Sequence, residues 1–481
     1  MKKMIVACAC LGLSLLAADE RLAAGSHGVF SPDGRRIAFQ SSIPGVLRVG
    51  VLTLATRQID WLTDGGSAAY PAWGPDGSVV YSFLDAPETA WAAAKNGSRK
   101  GCNLRVWQAG STCQLTAGRW RDYAPSFSPD GTTVFYSSTE GEVRLPGNGG
   151  QRGVNIRAVA ATGGVSRTVL AFRSSQSAAV QPSFSPDGRL LAWAHIGSFR
   201  DNWSVAVARA SAPEAFCRLT PPDMPAYAPR WLPDGRRIVC TACRAGEPGW
   251  CVYLLDVPRG EMRRLAVGEN PAVSPDGTTL LYDRDGQLLT SDFAAALAAA
   301  PAVALPQPEP FPPIARELAF DVSPSKVPAS RPLAMEVGDA AFYVSCEVTI
   351  SRLPKEFCVL VRGAYKESDR AFQLFVRENG IPAFAMRQAD GAYVGAHGGV
   401  PLTCGCRHRL TGVRAGNVLR LYVDGRPAGE RTVTQGILAP RSPVRLVVGE
   451  QVQGEVTRVA GGLGWPADVP RPPTPRELFG E

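Results

Sequence analysis

The sequence predicts an all-β protein in two parts, a six-bladed β-propeller followed by a β-sandwich. Three observations carry that expectation. One short phrase recurs six times before residue 300, a proline-dense stretch follows it, and the remainder alternates apolar and polar residues with no helical period.

The first residues read as an export leader. Met1-Lys2-Lys3-Met4 is a basic start, Ile5 to Leu16 is apolar but too short to span a bilayer, and small residues follow at Ala17-Ala18 and Ala23-Ala24. Residues 1–24 are therefore assigned to a signal peptide, with cleavage expected between about Ala18 and Ala24. No later segment is long and apolar enough to anchor the chain, so a periplasmic or secreted location is expected.

The repeated phrase is aromatic-x-Pro-Asp-Gly followed by an apolar run. It begins at Phe30, Trp73, Phe127, Phe184 and Trp231, with a sixth copy at Val273. Proline presets φ for the first corner of a tight turn, aspartate bonds the backbone ahead of it, and glycine takes a left-handed position. The runs after each glycine, such as Leu190-Leu191-Ala192-Trp193 and Leu280-Leu281-Tyr282, read as strands buried on both faces. A further strand then leads to a short one that often ends in Leu-Thr, as at Leu62-Thr63, Leu115-Thr116 and Leu219-Thr220. Successive prolines of the phrase (Pro32, Pro75, Pro129, Pro186, Pro233, Pro275) lie 42 to 57 residues apart, which fits four strands per unit and one blade per unit. A repeat of this length cannot bury its own apolar face and must stack on its neighbours.

This pattern resembles the TolB-type, WD-like propeller repeat over residues 25–305. The resemblance implies fold more than activity, because this propeller occurs in envelope transport components, beside prolyl oligopeptidase-like catalytic domains and in some polysaccharide lyases. It also implies where a ligand would sit, since in this fold the residues just before each first strand ring the central channel. Those positions are His27, Tyr70, Tyr123 with Ala124, Val180 with Gln181, Tyr227 with Ala228, and Glu269 with Asn270. His27, Tyr70, Tyr123, Gln181, Tyr227 and Asn270 are taken as the channel mouth, where the tyrosines can stack on a sugar or a peptide side chain.

Residues 301–313 contain six prolines, and 306–313 are assigned to a semi-rigid linker. Beyond it, 314–481 should form the sandwich, with strands at Phe342–Val348, Cys358–Val361, Phe372–Val376 and Ala383–Met386. The stretch from Arg407-His408 through Tyr422-Val423-Asp424-Gly425 resembles the corresponding part of laminin-G-like, concanavalin A-like domains. The usual tryptophan before the histidine is replaced by Cys406-Arg407. The resemblance implies glycan or protein binding, in some members with calcium, although no calcium site maps residue by residue onto this chain.

The chain has 12 cysteines. Cys102 with Cys113, Cys240 with Cys251 and Cys346 with Cys358 each bracket an expected hairpin, and these pairs are the disulfides the spacing suggests. Cys217, Cys243, Cys404 and Cys406 are left unassigned, and the set Cys217, Cys240, Cys243 and Cys251 is also compatible with zinc.

The sequence carries no GxSxG elbow, HExxH helix, P-loop or dinucleotide fingerprint, so no catalytic residue and no resident cofactor is assigned. His195 and His408 are read as core or hydrogen-bonding histidines. The net charge of +8 includes no basic run or basic-aromatic stripe of the kind that binds nucleic acid. The expected function is an exported, non-catalytic binding or scaffold protein of the cell envelope, with a glycan or an envelope protein as partner. A glycan-active enzyme of propeller-plus-sandwich layout and a TolB-like transport component are the alternatives.

Overall fold

In the computed structural model the described residues are 19–479, apart from 43–45, 64, 86–100, 141–152, 173–176, 198–200, 306–315, 321–330, 334–340, 355, 367–368, 389–390, 434–443 and 451. The expected leader up to residue 18 and most of the proline-rich linker lie outside them.

The fold is all-β, with two short helices among the described residues. Its first part consists of successive antiparallel sheets whose strands follow chain order. The innermost strands are Ser26–Phe30, Ser67–Trp73, Asp122–Phe127, Ala178–Phe184, Ala226–Trp231 and Glu269–Val273. Each touches the innermost strand of the next sheet, and the last touches the first, so the ring closes. The sixth sheet takes its outer strand from the start of the chain: Glu20–Ala24 pairs antiparallel with Gln287–Asp292. Five residues assigned to the leader therefore lie in the folded ring.

The repeated phrase folds as its residue types dictate. Gly34, Gly77, Gly131, Gly188, Gly235 and Gly277 all adopt φ between 66° and 82°. Asp33 accepts the Arg35 N–H (3.1 Å) and the Ser31 hydroxyl (2.5 Å), and the hydroxyl bond recurs at Ser128–Asp130, Ser185–Asp187 and Ser274–Asp276. These donors hold the turn carboxyls below the ordinary aspartate range. The phrase's aromatics stitch neighbouring sheets together: Trp73 Nε1–H donates to Val29 O and Trp231 Nε1–H to Ser183 O, both at 3.1 Å.

The Leu-Thr ending also has a mechanical role. Thr63, Thr116 and Thr220 are buried, and their hydroxyls accept the backbone N–H of Val49, Leu104 and Val205 in the strand alongside. The second strands Val79–Leu84 and Leu190–Ile196 are buried along their whole length, and the other four are buried through most of theirs. Their apolar side chains fill the clusters between adjacent sheets.

After residue 315 two six-stranded sheets follow, and Phe342, Phe372, Phe384 and Leu421 join residues of both in one apolar cluster. His408 is held between elements of the first of these sheets. Its Nε2 accepts the Thr403 N–H (3.1 Å), so Nδ1 carries the proton and donates to Asp424 Oδ2 (2.9 Å).

The expected disulfides do not form; all ten described cysteines are free. Strand register explains this. Cys240 pairs with Tyr253 and Cys251 with Ala242, so the two are diagonal neighbours. Cys113 pairs with Val106, several residues along the strand from Cys102. Cys346 and Cys358 belong to different sheets, on strands paired with Leu410 and Val376 respectively. The first two pairs are therefore out of register for a bridge, and Cys346 and Cys358, which share one apolar cluster, are likewise free.

The two parts meet at a buried polar cluster. Glu430, from the second part, pairs with Arg218 of the first and with Arg420 beside it (2.6 Å). His195 Nε2 lies 3.7 Å from the same carboxylate. Asp201 pairs with Arg431 at 2.9 Å, and Arg218 donates to Thr432 Oγ1 at 2.8 Å. Gly197 permits the approach, since a Cβ there would lie 3.0 Å from Glu430 Cβ. The C-terminal helix Pro475–Leu478 returns to the first part, where Leu478 joins the cluster around Cys240 and Leu255.

Candidate functional site

Six non-glycine residues of the innermost strands hold a left-handed backbone: His27, Tyr70, Ala124, Gln181, Ala228 and Asn270, with φ between 49° and 58°. Each sits where the register between first and second strand slips. Such residues cost roughly 1–3 kcal/mol each and persist only where the surroundings hold them, most often at ligand clamps. All six line a single cavity where the innermost strands converge.

Side-chain acceptors hold this ring. The N–H groups of Tyr70, Gln181 and Asn270 donate to Gln40 Oε1 (2.9 Å), Ser137 Oγ (3.0 Å) and Thr241 Oγ1 (2.8 Å). His27 N–H donates to Asp283 Oδ1 at 3.0 Å. These acceptors occupy one position on the second strand of the preceding sheet in the ring. In the fourth sheet that position is Ala194, and the Ala228 N–H turns instead to Gln181 Oε1 (2.9 Å).

Of the expected ring, His27, Tyr70, Gln181 and Asn270 line the cavity, whereas Tyr123 and Tyr227 do not. The inward position in those two sheets falls one residue later, on Ala124 and Ala228. Tyr123 packs beside Tyr70, ring centres 6.0 Å apart, and the His27 ring meets Tyr70 edge-on at 4.9 Å. Tyr227 packs on Trp250 at 5.0 Å, and its hydroxyl donates to Glu269. Burial pushes the phenols of Tyr70 and Tyr123 up, and burial followed by the Glu269 contact does so for Tyr227.

Two carboxylates stand beside the ring. Glu269 and Asp283 are direct partners on adjacent strands. Burial raises the Asp283 carboxyl to about 7, against the bonds from the His27 N–H and from Asn270 Nδ2 (3.0 Å). Residue-by-residue alignment of the second strands would have picked out Asp283, because it falls at the position of Gln40, Ser137 and Thr241. Arg230 also lines the cavity and was not marked by any motif.

Among the described residues, no group of three or more His, Cys, Asp or Glu is placed to hold a metal, and no helix is long and apolar enough to cross a membrane.

Comparison with known proteins places the first part. A 139-residue stretch is 28% identical to a protein TolB homolog of Chlorobium luteolum, covering 28% of this chain and 29% of the relative. That stretch of the first part is similar to TolB proteins. The match spans less than a third of that relative's length. No family model matches the chain. Among solved structures, a putative TolB from Agrobacterium tumefaciens is 19% identical, covers 56% of this chain and 90% of its own, and superposes with a TM-score of 0.39. A Trypanosoma rangeli sialidase is 11% identical, covers 95% of this chain and 93% of its own, and has a TM-score of 0.39.

Proposed function

We propose that the chain is an exported, non-catalytic binding protein of the bacterial cell envelope. In this reading the successive sheets are the blades of a six-bladed propeller, and the two later sheets form a concanavalin A-like sandwich. The ligand, a glycan or an envelope protein, docks where the ring of left-handed residues opens. The observation that carries the reading is this ring: six strained residues, one per sheet, converge on a single cavity. Both nearby carboxylates are engaged in holding it, Asp283 by His27 and Asn270, and Glu269 by Tyr227. Cleavage falls at the start of the expected window, by Asp19 at the latest, because a cut after Glu20 or later would shorten or remove the strand that closes the sixth sheet.

The test is binding of the full chain to a glycan array and to envelope proteins by crosslinking, with and without calcium. Wild type should retain a ligand that Tyr70→Ala/Gln181→Ala loses by tenfold or more. Equal retention by both would refute the docking position.

One observation favours a second reading, a glycan-active enzyme. Glu269 and Asp283 are cross-strand partners beside the ring, although neither lines the cavity, and the hydroxyl of Tyr227 lies on Glu269. Some glycoside hydrolases use a tyrosine nucleophile. Release of aryl alcohol from aryl glycosides, abolished in Asp283→Asn, would establish this reading in place of the first.

A further inference from the structure

The six innermost strands can be aligned by register. Val29, Ala72, Ser126, Ser183, Arg230 and Ala272 occupy one position, each the first residue paired with the second strand after the slip. Five are small or apolar, and the sixth is an arginine. Of the six, Arg230 is the one that reaches the central cavity.

Among the described residues nothing balances this cation. Among the described residues, no hydrogen bond, ion pair or ring contact engages the Arg230 guanidinium. Protein surrounds it while the channel leaves it partly accessible, and burial alone lowers its pKa, to about 10. It therefore stays charged at neutral pH. A half-buried cation loses part of its hydration and gains from an anionic partner.

The cavity is about 20 Å³, room for a single water-sized sphere. Its walls include Pro71, Pro125, Pro182 and Pro271, which offer no N–H group. The ring amides of His27, Tyr70, Gln181, Ala228 and Asn270 are already committed. A water there would find few partners, whereas a small anion would gain the full attraction of the guanidinium.

We propose that the neck of the channel is a binding site for one small monovalent anion of halide size, held by Arg230. This deepens the channel reading, since it gives the charge of what reaches the neck. It stands or falls separately, because it is tested on the isolated protein without any partner.

The test uses crystals of the wild-type full chain soaked in bromide, and thermal unfolding at constant ionic strength with chloride exchanged for gluconate. A bromide anomalous peak at hydrogen-bonding distance from the Arg230 guanidinium is expected. The unfolding midpoint should rise by about 2 °C over a hundredfold increase in chloride. Arg230→Met, close in volume but uncharged, should remove both responses. Absence of the peak, a midpoint indifferent to chloride, or an undiminished response in Arg230→Met would overturn the site. Loss of partner binding in the ring variants would bear on docking alone.

Discussion

Replacing Glu430 by glutamine removes one charge from the cluster that joins the two parts. Glu430 accepts from Arg420 Nε and is ion-paired with Arg218, and the three side chains are between 8% and 12% exposed. The guanidiniums outweigh the effect of burial and hold the carboxyl well below its ordinary range. Glutamine keeps the shape but presents an amide NH₂ to one of the guanidiniums, leaving a buried cation facing a donor. Breaking a buried ion pair from one side costs about 3–5 kcal/mol. The loss should appear in urea unfolding as a lower midpoint, or as one transition splitting into two as the parts uncouple. Replacing all three charges by methionine (Glu430→Met, Arg218→Met, Arg420→Met) should recover most of the loss, because the cluster is flanked by Phe216 and Trp465. A Glu430→Gln protein within about 0.5 kcal/mol of wild type would refute the idea that this cluster locks the two parts together.

Four further outcomes are expected. His195, buried against Phe172 and Phe216, has its pKa lowered to about 4 by burial, so the unfolded chain binds the extra proton first. Stability should therefore fall as pH drops from 6.5 towards 4, and His195→Phe should flatten that limb in a pH series of unfolding midpoints. Asp283 has the opposite sign: its raised pKa means that stability falls as pH rises from about 4 to 7, and Asp283→Asn should gain on the order of 3 kcal/mol relative to wild type at pH 8. Ala228→Gly, at φ 52°, relieves left-handed strain and should raise stability by about 0.5–1 kcal/mol in denaturant titration. Alkylation of the unfolded, unreduced protein followed by mass spectrometry should modify all ten cysteines beyond the leader.

The ring of sheets was legible because its signals are local. Proline, aspartate and glycine at each turn fix backbone angles through their own covalent structure, and the Leu-Thr endings mark a hydroxyl that the neighbouring strand requires. What failed depended on register. Within the pairs Tyr123 with Ala124 and Tyr227 with Ala228, the sequence did not say which member faces the cavity, and the bulge turns the alanine of each inward. The cysteine pairs looked adjacent along the chain, yet bridging across a hairpin is decided by register, and Cys240 and Cys251 are diagonal rather than facing.

Two elements carried a readable sign that periodicity alone missed. Thr474-Pro475-Arg476-Glu477 is a capping box, with Glu477 N–H on Thr474 Oγ1 (3.2 Å) and Thr474 N–H on Glu477 Oε2 (2.7 Å). The four-residue helix it starts is too short for an amphipathic period to show. Arg230 stands out only once six strands are aligned on their slips, because its neighbours in sequence are unremarkable. The contact between the two parts had no local signature: His195 and Arg218 lie far along the chain from Glu430, and only the folded arrangement brings them together.

The most direct test of the account is ligand retention by the full chain against Tyr70→Ala/Gln181→Ala, run on a glycan array and by crosslinking in native envelope. The account predicts a ligand held by wild type, lost by tenfold or more in the double variant, and released chemically unchanged. Retention by the double variant at the wild-type level, or turnover of the bound glycan, would contradict it.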